Sequence, residues 1–159
     1  MARLLNLANN RSRVALYTFS DRPQLEITFD GYEDRAAFES AVNNAPHLQG
    51  SRRIDRAFES AAQLLRTKSR DSVPKYVVLL TSGMQTRTAD TRTLEASSQQ
   101  VRFYGGRVFV VAILTGGYSI RDFYPAVQRP NDAFPITSFV DLLPRAPAFA
   151  SRMMGSWRK

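Results

Sequence analysis

Lys75 to Gly83 reads K-Y-V-V-L-L-T-S-G. Its apolar run, Tyr76 to Leu80, has no polar break, the pattern of a strand buried on both faces within a helix-covered parallel sheet. Val77 and Val78 favour the pleated conformation over a helix. The run stops at Thr81-Ser82-Gly83, small and polar. In open α/β sheets ligands sit beyond the carboxyl ends of the strands, so this tripeptide marks the face on which to look for function.

Working outward, a second run of the same kind is Arg107 to Leu114, R-V-F-V-V-A-I-L, opened by Gly105-Gly106 and closed by Thr115-Gly116-Gly117. Between the two, Arg87 to Tyr104 is expected to hold a helix with Leu94, Val101 and Tyr104 as contacts. Upstream, Ile54 to Arg66 is an amphipathic helix with Ile54, Ala57, Phe58, Ala61 and Leu65 inward. Glu33 to Ala45 is another, ended by Pro46. Arg13 to Phe19 and Gln24 to Phe29 are strands joined by a short turn, hence antiparallel, and the second alternates as an edge strand does. Met1 to Asn10 resembles the last turns of a helix. Downstream, Ile120 to Val127 is a short helix and Phe134 to Thr137 a short strand. A last helix starts at Phe139 and should break at Pro144 and Pro147, leaving a separate segment at Ala148 to Met154. The expected domain is residues 1–154, followed by a basic tail at 155–159. Strands alternating with helices give an α/β, doubly wound, mainly parallel sheet with one antiparallel edge strand and helices on both faces.

The chain has 159 residues, enough for one domain, and 43% are hydrophobic, enough for a proper core. It contains no cysteine and one histidine, which excludes a disulfide framework, a cysteine nucleophile and a zinc site built on His47. No apolar run approaches the roughly 20 residues needed to span a bilayer, and the opening residues lack the apolar core of a signal peptide. Ser82 lacks the G-x-S-x-G setting of a nucleophile, so the chain reads as a binding module and not an enzyme. The net charge of +8 favours anionic partners.

Four stretches together resemble the von Willebrand factor type A domain. They are R-V-A-L-Y-T-F-S-D (Arg13 to Asp21), G-S-R-R-I-D-R-A-F (Gly50 to Phe58), K-Y-V-V-L-L-T-S-G and G-G-R-V-F-V-V-A-I-L (Gly105 to Leu114). The variety is the extracellular-matrix and adhesion kind found in matrilins and collagen type VI. The resemblance implies an extracellular setting and a divalent-cation site at the top of the sheet. That site would take a carboxylate and hydroxyls from an Asp-x-Ser-x-Ser loop after the first strand, a threonine and an aspartate.

This sequence departs from that pattern. The first strand and its loop are absent, so the chain is expected to be a fragment of a longer protein, with a gap in the sheet. The threonine position falls on Arg52 and the aspartate position on Ser82. A degenerate, metal-free site without Mg²⁺ or any other cofactor is expected. Its ligand face comprises Ser51, Arg52, Arg53, Ser82 and Gly83, and Arg56 is expected to pair with Asp55 or Glu59. The partner expected is a protein or matrix ligand. The alternatives are a polyanion, either sulfated glycan or nucleic acid, or a role as a structural spacer with no ligand.

Overall fold

The computed structural model describes residues 12–32 and 34–155. The segment expected as a helix at 1–10 lies outside the described residues, as does the expected tail at 155–159 except for Gly155, which ends the last helix. The order is β1 (Leu16–Phe19), β2 (Pro23–Ile27), α1 (Arg35–Asn43), α2 (Ile54–Lys68), β3 (Lys75–Thr81), α3 (Leu94–Phe103), β4 (Gly106–Ile113), β5 (Ala133–Ile136) and α4 (Leu142–Gly155). Short 3-10 turns at Ile120–Ala126, Pro130–Asp132 and Phe139–Asp141 complete it.

The valine-rich strands β3 and β4 lie side by side and parallel, with Val78 opposite Phe109 and Leu80 opposite Val111. β5 extends the same sheet, parallel to β4. Period two then divides the core. Val108, Val110 and Ala112 of β4 join Phe58 and Leu65 of α2 and Val101 of α3 on one face. Phe109, Val111 and Ile113 join Phe149 and Met153 of α4 on the other.

β1 and β2 form a separate antiparallel pair. Leu16 and Ile27 pack under Phe38 of α1, whereas Phe19 packs against the α2 side of the core. Among the described residues no ladder joins the β1–β2 pair to the β3–β4–β5 sheet, in line with the gap expected in the sheet. This qualifies the reading of Tyr76 to Leu80 as buried on both faces. β4 is buried almost throughout, but β3 has an open edge and Leu80 is 48% exposed.

Two helix expectations change. α3 begins only at Leu94, where the Thr93 hydroxyl accepts from Ala96 N at 3.1 Å. Residues 87–93 instead form a loop of side-chain hydrogen bonds. α4 runs unbroken through Pro147. Pro144 sits in its first turn, where an amide hydrogen has no helical acceptor to lose. Pro147 removes one bond, and the burial of Phe149, Ala150 and Met153 holds the helix together across it.

Candidate functional site

Three loops meet at the carboxyl ends of β1 and β3. The first, Ser20-Asp21, leaves β1. The second, Gly50 to Arg53, leads into α2. The third, Ser82 to Thr93, leaves β3. Their contacts are largely polar. Arg53 N donates to Ser20 O at 3.1 Å. The Asp21 carboxylate accepts from Ser51 N at 3.3 Å and from the Ser51 hydroxyl, which holds Asp21 below the ordinary carboxylate range. Gly50 has φ +123°, and a Cβ there would lie 2.7 Å from Asp21 Oδ2. Only glycine supplies both the positive φ and the space.

Arg52 is clasped through its backbone by Thr86. Its N donates to Thr86 Oγ1 at 3.0 Å, and Thr86 N donates to Arg52 O at 3.0 Å. Arg52 Nε donates to Met84 O at 3.0 Å. The guanidinium lies over Gly83, where a Cβ would come within 3.1 Å of Nε. Its Nη groups have no hydrogen-bond partner among the described residues, and the side chain is exposed. Ser82 is exposed beside it, while Thr81 Oγ1 turns back to Gly83 O at 2.8 Å.

Arg53 faces inward. It is 5% exposed and grips Asp55 with two bonds, Nε to Oδ1 at 2.9 Å and Nη2 to Oδ2 at 2.8 Å. Its Nη1 donates to Asp90 at 3.1 Å. These acceptors raise its already high pKa, the Asp55 bonds most of all. Burial pulls the Asp55 carboxyl upward, but the Arg53 bonds and backbone amides outweigh it and leave it below its ordinary value. Asp90 is held well below the ordinary range by the Thr88 hydroxyl and then by Arg56. Arg56 departs from expectation. It pairs with Asp90 at 2.8 Å and with Asp21 O at 3.0 Å, while Glu59 pairs with Arg92 at 3.2 Å.

The five residues picked from the sequence lie on one rim, with Arg52 and Ser82 exposed, Ser51 half-buried, and Gly83 and Arg53 buried beneath. The residues missed are those of the third loop. Gln85 Oε1 accepts from Asp55 N at 2.6 Å, Gln85 Nε2 donates to Arg92 O at 2.7 Å, and Thr88 and Asp90 complete the arginine network. The signal available was Thr93, a capping residue followed by Glu95 in the first turn, which places the helix start after this loop.

Among the described residues no three His, Cys, Asp or Glu side chains come together to hold a metal ion. The nearest carboxylates, Asp21, Asp55 and Asp90, are each engaged by serine or arginine donors. Nor is any described helix long and apolar enough to cross a membrane.

Comparison with known proteins agrees with this geometry. Residues 1–134 match the family model of the von Willebrand factor type A domain. Among solved structures, the chain is similar to proximal thread matrix protein 1 of the mussel byssus. In a form with a zinc-occupied MIDAS motif, the match has TM-score 0.75 and 22% identity and covers 89% of this chain. A second structure of that protein matches with TM-score 0.80 and 13% identity over 92% of this chain. The chain spans only about a third of that relative, 34% and 37% in the two structures, and at such identities the likeness speaks for the fold.

Proposed function

Since the chain belongs to the von Willebrand factor type A domain family, whose members are generally protein-interaction or adhesion modules, we propose that it is an adhesion-type module, not an enzyme. In this reading it binds a protein or matrix ligand through the rim formed by Ser51, Arg52 and Ser82, with Gly83 giving Arg52 room to lie flat and Arg53 positioning the loops from below. The observation that carries this is the posture of Arg52. Its backbone and Nε are fixed by Thr86 and Met84 while the Nη donors stay free at the rim. A guanidinium so held offers paired N–H groups to a ligand carboxylate, the task that a bound cation performs in metal-dependent relatives.

The same guanidinium repels a divalent cation, and the rim adds only the neutral oxygen of Ser82. This supports a degenerate, metal-free site with no cofactor. An extracellular setting is supported by the likeness to a byssal matrix protein. Binding of the chain to a collagen-coated surface should persist in EDTA and fall at least tenfold in Arg52→Ala. A requirement for Mg²⁺, or indifference to Arg52→Ala, would count against the reading.

The net charge of +8 supports a second reading, a polyanion partner such as heparin or nucleic acid. Affinity would then fall steeply and log-linearly with salt through counterion release. A shape-matched protein interface would change little. A structural spacer would bind neither.

A further inference from the structure

Four loops gather where β1, β3 and β4 finish, and each holds one exposed arginine with guanidinium N–H groups unengaged among the described residues. They are Arg22 in the turn after β1, Arg52 ahead of α2, Arg87 after β3 and Arg121 at the start of the 3-10 turn that follows β4. Hydrogen bonds and strand register make the loops neighbours. Ser51 and Arg53 bond to Asp21 and Ser20 of the first loop. Thr86, directly before Arg87, bonds twice to Arg52. Thr81 of β3 stands opposite Ala112 of β4, so Ser82 and Leu114 leave the sheet side by side. Met84, Leu114 and Ile120 then cover the same core cluster.

The acids at this end are mostly taken. Asp21 accepts from Ser51, Asp55 from Arg53, and Asp90 from Thr88 and Arg56. Asp122 accepts from Ser119 N at 2.8 Å in a capping box. Glu95, in the first turn of α3, is the exception among the described residues. Unpaired positive charge is therefore spread around the rim with little acid to neutralise it. Two aromatic side chains stand beside Arg121. Tyr118, lying against Gly116, is 38% exposed and Tyr124 is 37% exposed. The capping box and the burial of Phe123 and Ala126 hold the turn that presents them.

We propose that the ligand of this rim is an acidic protein segment carrying several carboxylates, held by Arg22, Arg52, Arg87 and Arg121 together. A planar guanidinium matches a carboxylate with two parallel bonds. Tyr118 and Tyr124 offer contact area to apolar side chains between the acids, and Tyr and Arg are the residues that most often anchor such interfaces. A sulfated glycan brings charge but no apolar side chain to cover the tyrosines, so the mixture favours a polypeptide. This rests on the rim reading and specifies the class of its ligand.

The probe is a fluorescein-labelled peptide, Glu-Glu-Leu-Asp-Glu-Phe-Glu-Asp, titrated with the full chain and followed by anisotropy. Saturable one-to-one binding is expected. Arg22→Gln, Arg87→Gln and Arg121→Gln should each weaken it about threefold, the size of one exposed ion pair. The triple variant should weaken it about 30-fold if the sites add. Arg129→Gln removes the same charge from an exposed position ahead of the amino end of β5 and should leave the affinity unchanged. Heparin hexasaccharide and oligothymidylate should displace the probe only at higher concentration than the unlabelled peptide does. Unchanged affinity in the triple variant would overturn the proposal, as would an equal loss in Arg129→Gln or displacement by either polyanion at lower concentration than by the peptide. If the triple variant binds the peptide normally while Arg52→Ala still loses the collagen-coated surface, this proposal falls and the rim reading stands. An Arg52→Ala chain that binds both like the unmodified chain overturns the two together.

Discussion

Arg53 and Asp55 form a two-pronged ion pair at the mouth of α2, at 2.9 and 2.8 Å, with both residues buried. The pair ties the loop leading into α2 to the loop leaving β3, because Arg53 also reaches Asp90 and Asp55 also accepts from Arg92 N at 3.2 Å. Removing one partner of a buried pair strands the other charge, whereas replacing both by apolar groups is often close to neutral. Asp55→Asn should therefore lower Tm by roughly 5–10 °C, and Arg53→Met with Asp55→Leu should lower it much less. Thermal melts followed by circular dichroism decide this, and a double variant as unstable as the single one would show that the pair holds the loops by more than its charge.

Acid should loosen the same loops. Asp21, Asp55 and Asp90 all sit below their ordinary value of 3.8 in the folded chain. Each then binds a proton more readily when unfolded, so its contribution is fully present above pH 3.8 and is lost as pH falls through the folded value. The urea midpoint is expected to stay level between about pH 5 and 7 and to fall below about pH 4. Asp90→Asn should flatten that fall. A midpoint that instead rises on acidification would contradict the network.

The sequence shows the parallel β3 and β4 and the meeting of the Ser51–Arg53 and Ser82–Gly83 loops, because continuous apolar runs and small residues at strand ends are local signals. Three features are not local. Arg53 reads as a surface cation, since only folding brings Asp55 and Asp90 around it. Residues 87–93 read as the start of a helix, but in the fold Thr88, Asp90 and Thr91 bond one another and Asp90 reaches Arg53 and Arg56, contacts between distant stretches that no local pattern announces. The unbroken α4 is hidden by Pro144 and Pro147, whose local penalty is outweighed by the packing of Phe149 and Met153 against β4 and β5.

Metal addition tests the rim directly. A divalent-cation site of about 0.1 mM affinity would, at about 10 mM ion, stabilise the fold by about 2.7 kcal/mol and raise Tm by roughly 5–10 °C. With Arg52 over Gly83 and Asp21 engaged by Ser51, Mg²⁺ and EDTA should each shift Tm by less than about 1 °C. A Mg²⁺-dependent rise that survives in Arg52→Ala would mean that oxygens elsewhere hold the ion.

The crossing of α2, α3 and β4 is sterically tight. A Cβ on Gly106 would lie 2.7 Å from both Leu65 Cδ1 and Val101 Cγ1, and 3.0 Å from Val101 O. The two side chains are buried at 6% and 0% exposure, and the carbonyl belongs to the α3 backbone, so it cannot yield by a side-chain rotation. One methyl group must then push two helices away from the sheet, a strain of about 1–3 kcal/mol. Gly155, at the end of α4, has nothing within 4 Å of the same position. Gly155→Ala should be neutral or stabilising by about 0.5 kcal/mol through lower unfolded-state entropy. Paired urea titrations of the two variants measure the contrast. Equal stability for both would mean that α2 and α3 pack more loosely on β4 than the 2.7 Å approaches require.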